Sequence, residues 1–170
     1  MKKILLLLVV VVFNSCSIKF NGSSIPPEMK TVNVLFFENN ATLVVPSMAT
    51  NMTETLKNMI RNQSSLNITT NDPAAVFSGN ITSYDIRPTT VIDANNGGVG
   101  NTSPMNRMTI RVNVKYTDNL NPKLSFEEPI ERFIDFPTAG ASFSSQEVAL
   151  NQKVIDLISQ DIFDRAFANW

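Results

Sequence analysis

The sequence contains no histidine and only one cysteine. Without histidine there is no Ser-His-Asp or Cys-His nucleophilic couple and no imidazole to ligate a metal. The commonest general base is missing too. A lone cysteine forms no intramolecular disulfide. Charge is also scarce: charged residues are 17% of the chain, and 14 basic side chains against 15 acidic ones leave a net charge of −1. Lumped charge of that size gives no basis for nucleic-acid binding. The carboxylates are scattered. Glu127, Glu128 and Glu131 share one strand-like segment whose alternation sends Glu127 and Glu131 to the same side, which reads as a solvated strand face rather than a hydrolase couple. Gly97-Gly98-Val99-Gly100 lacks the Lys-Ser/Thr of a phosphate-binding loop and has no strand–loop–helix context. No catalytic residue, no metal site and no dissociable cofactor is expected, so the chain does not read as an enzyme.

What is present begins at the N-terminus. Lys2 and Lys3 precede ten unbroken apolar residues, Ile4 to Phe13. That run suits the hydrophobic region of a signal peptide and is too short for an ordinary bilayer-spanning helix. Small Ser15 stands immediately before Cys16, after which the chain turns polar. Phe13-Asn14-Ser15-Cys16 resembles a lipobox, with Phe13 in place of the preferred Leu and Asn14 in place of Ala or Ser. Met1–Ser15 is therefore expected to be a lipoprotein signal peptide, and Cys16 to carry a covalent diacylglyceryl group and an N-acyl (palmitate-type) chain. Lipidation also accounts for an odd cysteine in an exported protein. Removing Met1–Ser15 leaves 155 residues, enough for one core, and the loss of Lys2 and Lys3 takes the net charge from −1 to −3. Residues 16–30, polar and closing on Pro26-Pro27, read as a lipidated tether, and 31–170 as a single domain.

Within that domain the apolar periodicity predicts the elements. Thr31 to Phe37 is β-branched and aromatic enough for a first strand. Pro46 and Ser47 open a helical pattern with Met48, Met52, Leu56, Met59 and Ile60 on one face, where the methionines read as core. Leu66 to Thr70 is a short strand. In the next strand Ala75, Phe77, Gly79 and Ile81 alternate with polar residues, and Tyr84 and Ile86 continue the apolar set one residue out of phase, which predicts a bulge or twist near Ser83. Asp93 to Pro104 is a loop. Met105 to Tyr116 alternates throughout, with Met108, Ile110, Val112, Val114 and Tyr116 opposite Arg107, Thr109, Arg111, Asn113 and Lys115. Leu124 to Phe136 forms a further strand that Pro129 confines to an edge or a bulge. A final helix starts near Ser145 and runs to Trp170. One apolar stripe per helix and one apolar face per strand give an α+β two-layer sandwich: two helices on one face of a roughly four-stranded, mostly antiparallel sheet, in β-α-β-β-β-β-α order.

One feature points to binding. Arg107, Arg111 and Lys115 lie four apart on the polar side of the clearest strand, so successive members are about 13 Å apart along one face. Such a stripe suits the phosphates of a lipid headgroup or acidic residues of a partner. The competing reading is a solubilising face on a sheet whose other side is buried.

Three segments carry a family resemblance: Gly22-Ser-Ser-Ile-Pro-Pro-Glu-Met-Lys-Thr31, Phe36-Phe-Glu-Asn-Asn40 and Asp161-Ile-Phe-Asp-Arg-Ala-Phe-Ala-Asn-Trp170. They resemble the Bacteroidetes branch of the LptE-type lipopolysaccharide-assembly lipoproteins. The resemblance implies a fold of two helices against a four-stranded sheet, a partner in the LptD outer-membrane β-barrel, and a role in placing lipopolysaccharide in the outer leaflet. It implies a location on the periplasmic side of the outer membrane, held by the lipid anchor. Only the lipidated cysteine transfers residue by residue, onto Cys16. The alternative is a lipid-anchored adaptor of a different envelope complex with no part in lipopolysaccharide handling.

Overall fold

The computed structural model of the chain describes residues 25–43, 45–92, 102–139 and 142–168. The expected signal peptide, Cys16, most of the tether, the Gly97–Gly100 run and Trp170 lie outside the described residues. Two strands come first, β1 (Thr31–Val34) and β2 (Glu38–Asn39), then helix α1 (Met48–Gln63) and β3 (Asn67–Ile68). The long strands β4 (Ala75–Ile92), β5 (Thr102–Asp118) and β6 (Phe126–Pro137) follow, and α2 (Phe143–Phe167) closes the order.

All six strands belong to one sheet, in the order β3-β1-β4-β5-β6, with β2 also paired to β4. The sheet is mixed, which corrects the expected four-stranded, mostly antiparallel one. β1 pairs in parallel with both β3 and β4, and β2 pairs in parallel with β4, while β4–β5 and β5–β6 are antiparallel. Parallel pairing follows from connectivity: α1 carries the chain back along the sheet between β2 and β3, and a helical crossover returns a strand in its original direction. The predicted first strand, Thr31 to Phe37, is divided. Regular pairing stops after Val34 and resumes at Glu38, on the same edge of β4.

Two further boundaries move. Thr102 to Pro104, expected in a loop, pair with Val91, Ile92 and Thr90 of β4, so the β4–β5 ribbon extends further than its apolar pattern shows. Leu124 belongs to a 3-10 turn, Pro122–Leu124, ahead of β6. Helix α2 starts at Phe143, with Ser142 as its N-cap, two residues before the expected start.

Both helices pack on one face of the sheet. Met48, Met52, Leu56 and Ile60 of α1 are buried, and Val154, Ile155, Ile158, Ile162, Phe163 and Phe167 of α2 form a second buried stripe at helical spacing. From the sheet they meet Val32, Val34, Phe77, Ile81 and Tyr84, and Met108, Ile110, Val112, Val114 and Tyr116 of β5. Tyr116 centres an aromatic group, its ring 4.8 Å from Phe77, 5.4 Å from Phe126 and 6.1 Å from Phe167. Thr53 of α1 ties the helix to the strand break: its hydroxyl accepts from the Phe37 N–H at 3.0 Å and donates to the Ala49 carbonyl at 2.9 Å.

The phase slip in β4 is a bulge. Ile81 pairs with Val112 and Ser83 with Arg111, so Thr82 is the extra residue, and Tyr84 returns to the core face. Among the described residues the other face of the sheet carries no helix. It presents the polar residues of β4, β5 and β6, and it holds the candidate site.

Candidate functional site

The odd-numbered residues of β5, from Arg107 to Lys115, point to the open face because their even-numbered neighbours are locked into the core. Arg107, Arg111 and Lys115 therefore form the stripe expected from their spacing. The register of β6 sets an acid directly opposite each: Asp135 against Arg107, Glu131 against Arg111 and Glu127 against Lys115.

The three pairs are graded. Arg107 holds Asp135 in a two-pronged pair, Nε to Oδ1 and Nη2 to Oδ2, both at 2.8 Å, and its guanidinium carbon lies 3.8 Å from the centre of the Phe133 ring. Arg111 Nε meets Glu131 Oε2 at 2.7 Å. Lys115 Nζ lies 3.8 Å from Glu127 Oε2, and Asn113 Nδ2 reaches the other oxygen of that carboxylate at 3.4 Å. Exposure follows the same gradient, from 40% for the Arg107 side chain to 59% for Lys115. The hydrogen bond from Arg107 holds the Asp135 carboxyl below its ordinary range, and the same bond holds the guanidinium above its own.

Arg87 is the member that spacing along one strand missed. It sits directly across from Arg107 in the β4–β5 register, on the same face, and has no acid partner among the described residues. Like charges set directly opposite each other repel. Arg87, Arg107 and Arg111 border a groove of about 310 Å³ whose other walls are Ser83, Asp85, Thr109 and Glu131. Within it the Ser83 hydroxyl donates to Asp85 Oδ2. The acid row was partly visible in advance, because Glu127, Glu131 and Asp135 repeat the four-residue spacing of the basic row.

The core side of β6 holds a second set of charges. Arg132 pairs with Asp161 and Arg165 with Glu128, fastening α2 to the edge strand, and the Arg165 guanidinium lies 4.6 Å from the Phe126 ring centre. On α2 the Glu147 carboxylate accepts from the Tyr84 hydroxyl at 2.9 Å. Burial first, and that carboxylate second, hold the Tyr84 phenol well above its ordinary value of 10.0.

Nothing in these arrangements assembles a nucleophile with a base. Among the described residues no group of three or more acidic or cysteine side chains converges as metal ligands, and no helix is long and apolar enough to cross a membrane. The chemistry on offer is recognition by fixed charges.

Comparison with known proteins supplies the rest. No curated protein sequence matches the chain. Its backbone resembles a neuraminyllactose-binding hemagglutinin homolog from Helicobacter pylori, at 8% identity and a TM-score of 0.53 over 84% of this chain and 85% of that one. It also resembles a hypothetical protein from Chlamydia trachomatis, at 10% identity and a TM-score of 0.50 over 82% and 99%. A minor lipoprotein from Acinetobacter baumannii aligns at 14% identity and a TM-score of 0.47 over 81% and 91%. At such identities the likeness is one of fold. The family model for lipopolysaccharide assembly, LptE, matches residues 29–166, which takes in every described strand, α1, and α2 up to its penultimate residue. The chain belongs to the LptE family of lipopolysaccharide-assembly lipoproteins.

Proposed function

We propose that this lipoprotein is held on the periplasmic side of the outer membrane by the lipid on Cys16, where it plugs and supports an LptD-type β-barrel while lipopolysaccharide is inserted into the outer leaflet. The observation that carries this reading is the family match across residues 29–166. The cysteine placed where a lipoprotein signal would be cut agrees with it. No cofactor enters the reading beyond the covalent diacylglyceryl and N-acyl chains. Together these bury several tens of CH₂ groups at about 0.8 kcal/mol each, so release from the membrane is negligible.

Arg107, Arg111 and Lys115, joined by Arg87, are the residues assigned to lipopolysaccharide phosphates or to acidic residues of the barrel lumen. Their present partners on β6 do not preclude this. Exposed ion pairs are weak, about 0–1 kcal/mol in general, so a bidentate phosphate can share or replace a carboxylate. Inside a barrel the incoming pair is screened less than on an open surface.

The test is co-purification from detergent. The barrel recovered at near-equal stoichiometry sustains the reading, and another envelope complex recovered in its place replaces it with the adaptor alternative. Cys16→Ala should abolish labelling by a fatty-acid analogue; labelling that persists would end the lipoprotein anchor. Purified lipopolysaccharide should bind the Arg107→Gln/Arg111→Gln/Lys115→Gln variant more weakly than wild type, with the difference shrinking as salt rises. Equal binding at low and high salt would leave the stripe a solvated sheet face.

A further inference from the structure

Among the described residues no strand lies beside the outer edge of β6. Which backbone groups it offers can be traced across the sheet. Leu35 N–H donates to the Phe77 carbonyl and Asn40 N–H to the Ile81 carbonyl, both at 2.9 Å, so the odd residues of β4 ahead of the bulge face β1 and β2. The even residues of β4 then face β5, through the pairs Ser78–Lys115 and Asn80–Asn113. In an antiparallel ladder the two directions alternate, so the even residues of β5 bond β6, and the bonded residues of β6 are also the even ones. The odd residues of β6 turn their N–H and C=O groups outward.

Pro129 and Pro137, which have no N–H, both belong to that outward set, as prolines of an edge strand should. Between them Glu131, Phe133 and Asp135 keep three successive outward donors. None of the three donates to any group among the described residues. Prolines thus bound this run of three donors on either side, with the outward Glu127 lying beyond Pro129.

The same three residues carry the side chains that an added strand would meet on the open face. They read acid, aromatic, acid, and Phe133, with 48% of the residue exposed, has one ring face under the Arg107 guanidinium. On the core side of β6 a crevice of about 700 Å³ runs between the strand and the last turns of α2, past Ile130, Arg132, Asp161 and Arg165. It leaves room for the alternate side chains of a further strand.

From these features we infer that the Glu131–Asp135 window is a strand-addition site for an extended segment of a second protein. That segment carries an apolar residue with a lysine or arginine two places to either side. Main-chain bonds to the three donors give affinity, and the acid–aromatic–acid row sets the charge of the guest. A second copy of this chain is the wrong guest. Antiparallel pairing centred on Phe133 would put Glu131 of one copy against Asp135 of the other, and like charges directly opposite are destabilising. The guest would share Glu131, Asp135 and Phe133 with Arg111 and Arg107 of β5, which already pair with the two acids and cover the ring; the inference does not depend on the lipid anchor.

The experiment uses the full-length protein in detergent and two fluorescein-labelled nine-residue peptides. One is threonine throughout, with a central valine and lysine two places to either side, and the other has glutamate in place of both lysines. The lysine peptide should bind about tenfold tighter or better than its acidic counterpart, a preference that weakens with salt. On binding it should slow deuterium exchange at the amides of Glu131, Phe133 and Asp135, while Ile130 and Arg132, already bonded to β5, stay as they were. Phe133→Pro removes the central donor and should abolish binding. Should that variant fail to fold, Glu131→Gln with Asp135→Asn keeps every backbone donor and should erase the preference for lysine. No binding, equal binding of the two peptides to wild type, or binding without protection of the three amides would each overturn the inference.

Discussion

Alternate residues of β5 live in opposite environments. On one side Met108, Ile110, Val112 and Val114 are wholly buried under two helices; on the other, Arg107, Arg111 and Lys115 reach across to acids on β6. The first set fixes the position of the strand through area removed from water, about 25 cal/mol per Å². The second contributes far less to holding the fold, because exposed pairs in water gain little. One strand thus buries its apolar side under the helices and keeps a row of weakly held charges on the other, so the two faces are expected to respond separately to substitution.

The sharpest way to break that separation is to put a charge on the wrong side. Ile110→Asp buries a carboxylate with no partner and should cost about 4 kcal/mol or more, abolishing the cooperative transition in urea. A variant within about 1 kcal/mol of wild type would mean that the helix layer is not the main support. Gly79→Ala tests how closely that layer packs. A Cβ at Gly79 would lie 2.3 Å from the Asn113 carbonyl oxygen and 2.7 Å from Phe37 Cε1, and backbone cannot swing aside as a flexible side chain can. The expected loss is about 2 kcal/mol by the same measurement, and an unchanged midpoint would contradict the packing.

A gentler probe is alkaline pH. Burial, with Glu147 behind it, raises Tyr84, and burial, with Asp118 behind it, raises Tyr116. A phenol whose folded value exceeds its unfolded value of 10.0 contributes stability below that pH and loses it as the pH climbs toward the folded value. The thermal midpoint should therefore fall above about pH 10, and less steeply in Tyr84→Phe. A flat profile in wild type would show both phenols to be free to ionise.

The smallest effect on stability belongs to the open face. The Arg107→Gln/Arg111→Gln/Lys115→Gln variant should keep its thermal midpoint to within a few degrees, even where its binding is altered. Asp135, held low by Arg107, adds a weak acid-side signature: its contribution is present above the unfolded carboxyl value and is lost as the pH falls through the lower folded one. A large midpoint loss in the triple variant would show that the two faces are not separable.

Much of this was legible in the sequence because long strands repeat. The alternation from Met105 to Tyr116 marks both faces of β5, the slip between Ile81 and Tyr84 marks the bulge at Thr82, and Pro129 marks an edge strand. β2, at two residues, has no period to read, whereas β3 falls inside the short strand expected at Leu66 to Thr70. Their pairing with distant strands depends on α1 returning the chain, which no local pattern encodes. The charge pairs were half legible. Each row has its own spacing, but whether Asp135 meets Arg107 depends on the β5–β6 register, and Arg87 on the register beyond the bulge. The basic stripe was visible as a row, whereas its neutralising partners required the hairpin.

The mixed sheet also bears on how the chain reaches this state. β4, β5 and β6 are consecutive, with only residues 93–101 between the first two and 119–125 between the last two, so their ladders close over short stretches of chain. β1 and β2 must find β4 across the whole of α1, more than thirty residues later in the sequence, as Val32 finds Ala75 and Asn39 finds Ile81. Closing the longer loop costs more entropy before any contact rewards it. The shorter closures of the meander favour its forming before the N-terminal third docks onto it. In a chain synthesised from its N-terminus, β1, α1 and β3 all emerge before β4, the strand that ties β1 and β2 into the sheet.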